Sequence, residues 1–219
     1  MIDLSLEHAH KYLLQVLDEL KNLEGGDMLV EADELNTMKL TEGYIVEAAL
    51  KAHKDAPAHI VEGLVGVKGT DYSVEYEEDD ANVAIIKMLQ PTARLASLKA
   101  SDSHVVMVDP IAEDTPIARM QHNKYVRGTY DDPRLIVKSV WEQAYCPEYA
   151  YYSVKSQNAT FKVEYVPYPE LMGDTVQISS KLEYAVLTLL VTMVLDALSY
   201  SEKANIYRAK YQEYLQTTR

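Results

Sequence analysis

Residues 179–215 read SSKLEYAVLTLLVTMVLDALSYSEKANIYRAKYQEYL, and the fold turns on the two halves of this stretch. Positions 184–195 carry no charge; Lys181 and Glu183 stand before them and Asp196 follows. A run that is apolar nearly all round must, as a helix, be covered on more than one side. It is too short for a hydrocarbon layer, which requires about 20 apolar residues. Burial within protein, or against a neighbouring subunit, is therefore predicted, with no membrane contact. Ser201 is placed to cap a second helix, in which Ala204, Tyr207, Ala209, Tyr211 and Tyr214 are mixed among charges. One greasy and one amphipathic helix in succession form a hairpin that needs further surface to pack on.

Working outward, the N-terminal end supplies such surface. Ser5 can cap a helix from Leu6 to about Leu23, with Leu6, Ala9, Leu13, Val16, Leu17 and Leu20 on one face and Gly25-Gly26 ending it. A second helix is expected from Thr41, where Tyr44, Ile45, Ala48, Ala49 and Ala52 repeat at helical spacing and Pro57 sets a limit. Residues 63–80 read as a loop or a loose hairpin with an acidic tip. Beyond them, strands are expected at 83–89, 94–100, 104–108, 135–140, 149–155 and 160–166. Thr115-Pro116 opens a short helix between the third and fourth, with proline at the first helical position. The order of helices, sheet and helices predicts an α+β chain, a helical bundle from both ends around a mostly antiparallel β-region. The expected division is 1–62 and 176–219 for the bundle and 63–175 for the β-rich middle.

The chain has 219 residues, enough for one domain with an appended part. Acids outnumber bases 34 to 21, giving a net charge of -13, which opposes any role in gripping nucleic-acid phosphates. It leaves room for a surface past which DNA slides without sticking. Seventeen tyrosines against one Phe and one Trp suit half-buried sheet positions and subunit contacts, where an apolar body and a polar tip are both used. The single Cys146 excludes an internal disulfide and a cysteine-rich metal site. The opening MIDLSLEHAHKYLL lacks the basic and apolar regions of a secretory signal, so synthesis in the cytosol is expected.

Motifs that carry chemistry fail on spacing. In residues 63–70, GLVGVKGT, Lys68 precedes Gly69, so the phosphate-loop order is broken. His8 and His10 are two apart and point to different sides of a helix. Glu77, Glu78, Asp79 and Asp80 form a contiguous block without the alternating ligands and glycine of a calcium loop. Ser101-Asp102-Ser103-His104 holds triad residue types, but adjacency in one turn denies them triad geometry. Cys146 would be a nucleophile only with a distant histidine. No cofactor, metal or catalytic residue is assigned, and an enzyme is the weaker expectation.

Two segments carry a family resemblance. One spans residues 90–129 and contains Glu113-Asp114-Thr115-Pro116 followed by Gln121, Asn123, Tyr125, Arg127 and Gly128; the other is the terminal helical hairpin. With the N-terminal helices, they resemble the head–tail connector proteins (adaptor or neck rings) of tailed bacteriophages, in particular the tail tubular A-like ring proteins of short-tailed and crAss-like phages. The tryptophan often found in the β-region of that family is absent between Leu98 and Val108, and the only Trp is Trp141. The resemblance implies a non-catalytic virion protein of the neck. It would form a cyclic ring of about a dozen copies, bind the portal protein and neighbouring neck or tail rings, and continue the channel through which DNA passes without sequence-specific binding.

On that implication, Leu187, Leu190, Val191 and Val194 pack within the bundle or against a neighbouring subunit, and Tyr207, Tyr211 and Tyr214 lie nearer the portal or the adjacent subunit. Glu75, Glu77, Glu78, Asp79 and Asp80 are candidates for the channel wall or a subunit seam. The competing classes are a non-catalytic oligomeric scaffold module and a small hydrolase built on Asp, His and Cys146.

Overall fold

The computed structural model describes residues 1–23, 34–77, 80, 82–123, 125–129, 131–141, 145–153 and 159–217. In chain order, β1 (Ile2–Ser5), α1 (Leu6–Leu23) and α2 (Glu34–Asp55) come first. The middle holds β2 (Leu64–Val65), β3 (Tyr72–Tyr76), β4 (Val83–Met88), β5 (Thr92–Ala100), β6 (Val106–Met107) and β7 (Ile111–Ala112). After α3 (Pro116–Met120) it continues with β8 (Arg134–Trp141), β9 (Cys146–Tyr152) and β10 (Phe161–Pro167). The chain then runs through β11 (Leu171–Met172), β12 (Thr175–Ile178), α4 (Glu183–Ala197) and α5 (Ser201–Thr217). The fold class is α+β, and its strands pair antiparallel except for β7 with β8.

Two compact units result, one from residues 1–62 with 169–219 and one from 63–168. In the first, α4 packs against α1, α2 and α5, which is why its sequence is apolar all round. Ten of its residues are buried, Thr188 and Thr192 among them, and the Thr192 hydroxyl donates back to the Thr188 carbonyl at 2.9 Å. Burying one leucine such as Leu190 contributes about 2 kcal/mol. The α1 face expected from periodicity is buried throughout, and Ser5 Oγ accepts the His8 N–H at 3.2 Å as a cap.

The turn between α4 and α5 closes in a Schellman arrangement. Tyr200 N–H donates to Leu195 O (2.8 Å) and Ser199 N–H to Asp196 O (3.0 Å), with Ser199 at φ 66°. That position usually holds glycine, so the serine carries some strain.

Two features of this unit differ from the sequence reading. α2 begins at Glu34, and Thr41 lies inside it, buried, with its hydroxyl bonded to Thr37 O at 2.9 Å; it satisfies itself within the helix and caps nothing. Residues 169–178, placed largely with the middle, belong here. β11 and β12 form a hairpin around Gly173 (φ 61°), and β12 pairs with β1, setting Leu4 opposite Val176.

The second unit carries a four-stranded sheet, order β2-β10-β5-β6, and a five-stranded sheet, order β3-β4-β9-β8-β7. Alternate residues of β4 point to opposite faces. Ala84, Ile86 and Met88 join Leu95, Leu98, Tyr151 and Phe161 in the main core, while Val83 and Ile85 join Ile136, Ala150 and Tyr152 in a second cluster completed by Ala118 of α3. Tyr149 and Tyr151 face the main core, where burial raises both hydroxyls well above the ordinary tyrosine range. Tyr151 still finds a polar partner, donating to Asp102 Oδ1 at 2.8 Å.

Candidate functional site

The segment from Glu113 to Gly128 is built by short-range bonds. Thr115 Oγ1 accepts the Ala118 N–H (3.2 Å) and donates to Ala112 O (2.8 Å), which starts α3 with Pro116 in its first turn. Gln121, buried, bridges the segment: its amide donates to Ile117 O (3.0 Å) and its oxygen takes the Gly128 N–H (2.7 Å). Asn123 organises the next turn, with Oδ1 accepting from Tyr125 N–H and its carbonyl from Val126 and Arg127 N–H. Gly128 lies so close to β8 and β9 that a Cβ there would meet Tyr152 O at 2.6 Å and Arg134 N at 2.7 Å. Only glycine permits that approach.

Arg127 anchors the segment to the β3–β4 turn. Its side chain, 9% exposed, meets Asp80 Oδ2 at 2.5 Å, and its Nε has no hydrogen-bond partner among the described residues. Burial works to raise the Asp80 carboxyl, but hydrogen bonds from Arg127 and the Asn82 N–H, with the arginine charge, outweigh it and hold the group below its ordinary range. Beside this pair, Lys138 of β8 binds Glu77 at 2.5 Å. Tyr152 stands among them; burial first, then the charges of Glu77, Glu113 and Asp80, push its hydroxyl up against the opposing pull of Arg127. Glu113, His122, Lys138 and Tyr152 line a cavity of about 20 Å³, room for a water molecule.

The segment also sends large apolar side chains outward. Tyr125 is 87% exposed, and Ile117, Met120 and Val126 are each about half exposed. Thr115, Gln121, Asn123 and Arg127 hold the loop, while these large hydrophobic side chains face solvent among the exposed Glu113, Asp114 and Arg119. Sequence reading singled out Thr115, Gln121, Asn123, Tyr125, Arg127 and Gly128 as a set but missed Ile117, Met120, Val126 and Lys138. Ile117 and Met120 are spaced three apart, a helical-face signal that would have marked an apolar surface on α3.

No protein-family model matches this chain, and neither does any curated protein. Function is therefore read from the chemistry of its surfaces.

Leu187, Leu190, Val191 and Val194 are buried within this unit, on a helix that packs against α1, α2 and α5. Tyr207 and Tyr211 are also buried within this unit and do not form an outward surface. Lys210 covers the Tyr207 ring at 4.4 Å, and Tyr211 donates to Asp55 at 3.1 Å. Tyr214, half-buried, donates to Lys181 O at 2.6 Å.

Of the acidic set, Glu75 binds Lys87 (2.7 Å), Glu77 binds Lys138 and Asp80 binds Arg127, so each of the three holds a cation. Glu78 and Asp79 lie outside the described residues. The pairing turns what composition reads as a bare negative block into a partly neutralised one.

The hydrolase candidates are engaged structurally. Ser101 Oγ accepts the Thr160 N–H at 2.9 Å and Ser103 Oγ the Val105 N–H at 3.1 Å, while Asp102 serves Tyr151. Burial raises the Cys146 thiol, which lowers its thiolate fraction at neutral pH. His8 meets Glu183 and His10 meets Thr37, on separate helices. Among the described residues no group of three or more His, Cys, Asp or Glu is placed to hold a metal, and no helix is long and apolar enough to cross a membrane.

Proposed function

We propose that this chain is a non-catalytic assembly protein, a head–tail connector ring of a tailed bacteriophage that joins portal to tail and continues the DNA channel. The observation that carries the assembly part is the outward set Ile117, Met120, Tyr125 and Val126, held on a segment whose own hydrogen bonds and the Arg127–Asp80 pair fix its shape. An exposed apolar patch on a pre-organised loop fits a protein partner. Tyrosine and methionine are enriched at such contacts. The viral part is supported by the resemblance in order and residue type across 90–129 and the terminal hairpin.

A repeated heterologous contact that closes gives a ring, and the family resemblance implies about a dozen copies, matching the portal. The surplus of acids is greatest in the helical unit, where they outnumber bases 19 to 10. Such a balance disfavours phosphate binding as DNA passes.

Sedimentation tests the reading. Purified protein is expected to run as one discrete oligomer, and Tyr125→Asp as a folded but less assembled species. A wild-type monomer at every concentration, or unchanged assembly in the variant, would count against the patch as the assembly surface.

A further inference from the structure

We infer that copies of this chain join edge to edge through the four-stranded sheet, with β6 of one copy laid beside β2 of the next; this rests on the ring-forming reading above. Both end strands are apolar and open. Leu64, Val65 and Val67 on the β2 side, and Val105, Val106 and Val108 on the β6 side, are between 37% and 60% exposed. Sheet edges in soluble proteins are usually blunted by lysine, proline, a bulge or a covering element. These six positions are aliphatic instead.

The backbone is available as well. Gly66 N–H donates to Val163 O at 2.8 Å, so the antiparallel alternation turns the N–H and C=O of Val65 away from β10 and toward the open edge.

Strand direction selects the occupant. Each neighbour in β2-β10-β5-β6 is antiparallel, so the two end strands run opposite ways. A second copy placed alongside in the same orientation brings its β2 antiparallel to the first copy's β6 and continues the ladder without a break in pattern. Twofold pairing of β2 with β2 would leave both β6 edges bare. The head-to-tail contact covers both edges, uses two different surfaces and repeats, which gives a ring when its rotation closes. Each edge strand spans two residues. A single junction is therefore weak, and closure is what stabilises the set.

Cysteine crosslinking of the full chain in a Cys146→Ser background tests this. Val65→Cys and Val106→Cys proteins, treated with a short bis-maleimide, are expected to give crosslinked dimers only when mixed, and the double variant a ladder of multimers. Replacing both valines by lysine is expected to weaken assembly at least about tenfold, with the circular dichroism spectrum unchanged. Dimers from Val65→Cys alone, or no crosslink although the wild type sediments as an oligomer, would overturn the edge contact and leave the ring reading standing. A wild-type monomer would overturn both.

Discussion

The imidazole of His53 and the backbone of Ser179 are joined, 126 residues apart in sequence, by a hydrogen bond of 3.1 Å in which the Ser179 N–H donates to Nε2. The other ring nitrogen, Nδ1, faces Ala49 O at 2.8 Å and donates to it. This fixes a neutral tautomer protonated at Nδ1. Ser179 Oγ donates to Ile60 O and takes the Glu62 N–H, so one histidine and one serine tie α2, the 58–62 turn and the entry to α4. His53→Ala leaves a buried N–H unpaired beside a new void, and a loss of about 2–4 kcal/mol is expected in denaturant unfolding. A loss below about 0.5 kcal/mol, the size of an ordinary surface change, would contradict this role.

Asp80 and Arg127 supply a pH dependence. The folded Asp80 carboxyl titrates below its ordinary value of 3.8, so its stabilisation is complete above that pH and is lost as pH falls through and below it. Asp80→Asn leaves a largely buried guanidinium without its charge partner, at a cost on the order of 2–4 kcal/mol near neutrality. The gap in thermal midpoint between wild type and variant should be constant from pH 7 to about 5 and shrink below about 4. A gap that persists at pH 2 would show that the ion pair is not its source.

Gly128 is a steric test of the same segment. Gly128→Ala drives a methyl group into Tyr152 O and Arg134 N, both backbone atoms that cannot swing aside. A destabilisation of about 1–3 kcal/mol is expected by differential scanning calorimetry. A neutral result would mean that the 126–129 turn can back away from β8 and β9, against a tight clamp at Gly128.

Ser199 carries a conformational prediction. At φ 66° a β-branched residue is strongly disfavoured, so Ser199→Val should lower stability by about 1–2 kcal/mol, while Ser199→Gly should be neutral or mildly stabilising. Equal effects of the two changes would remove the left-handed turn as the feature that joins α4 and α5.

Much of the architecture was legible because its signals are local. The α1 face, the short helix behind Thr115-Pro116 and the strands around 83–88, 134–141 and 161–167 follow from spacing and turn chemistry alone. The Gly173-Asp174 hairpin was also readable, as a two-residue turn between Met172 and Thr175, but two-residue strands give no periodicity to confirm it. β1 was hidden for the same reason: of its four residues only Leu4 is buried, and its pairing partners lie 170 or more residues away.

The candidate site was half legible. Asn123, Gln121 and Gly128 are residue types that demand a local explanation, and each has one. The groups that complete the site, Asp80 from the β3–β4 turn and Lys138 and Tyr152 from β8 and β9, come from elsewhere in the chain, and no sequence spacing announces them. Charge was the most misleading signal, because a count of acids does not show that Glu75, Glu77 and Asp80 each hold a cation.

Negative-stain electron microscopy of the purified full chain tests the connector reading most directly. Closed rings of uniform copy number with an axial opening wide enough for duplex DNA are predicted. Single, unassociated particles at all concentrations, or closed clusters without a central opening, would contradict it.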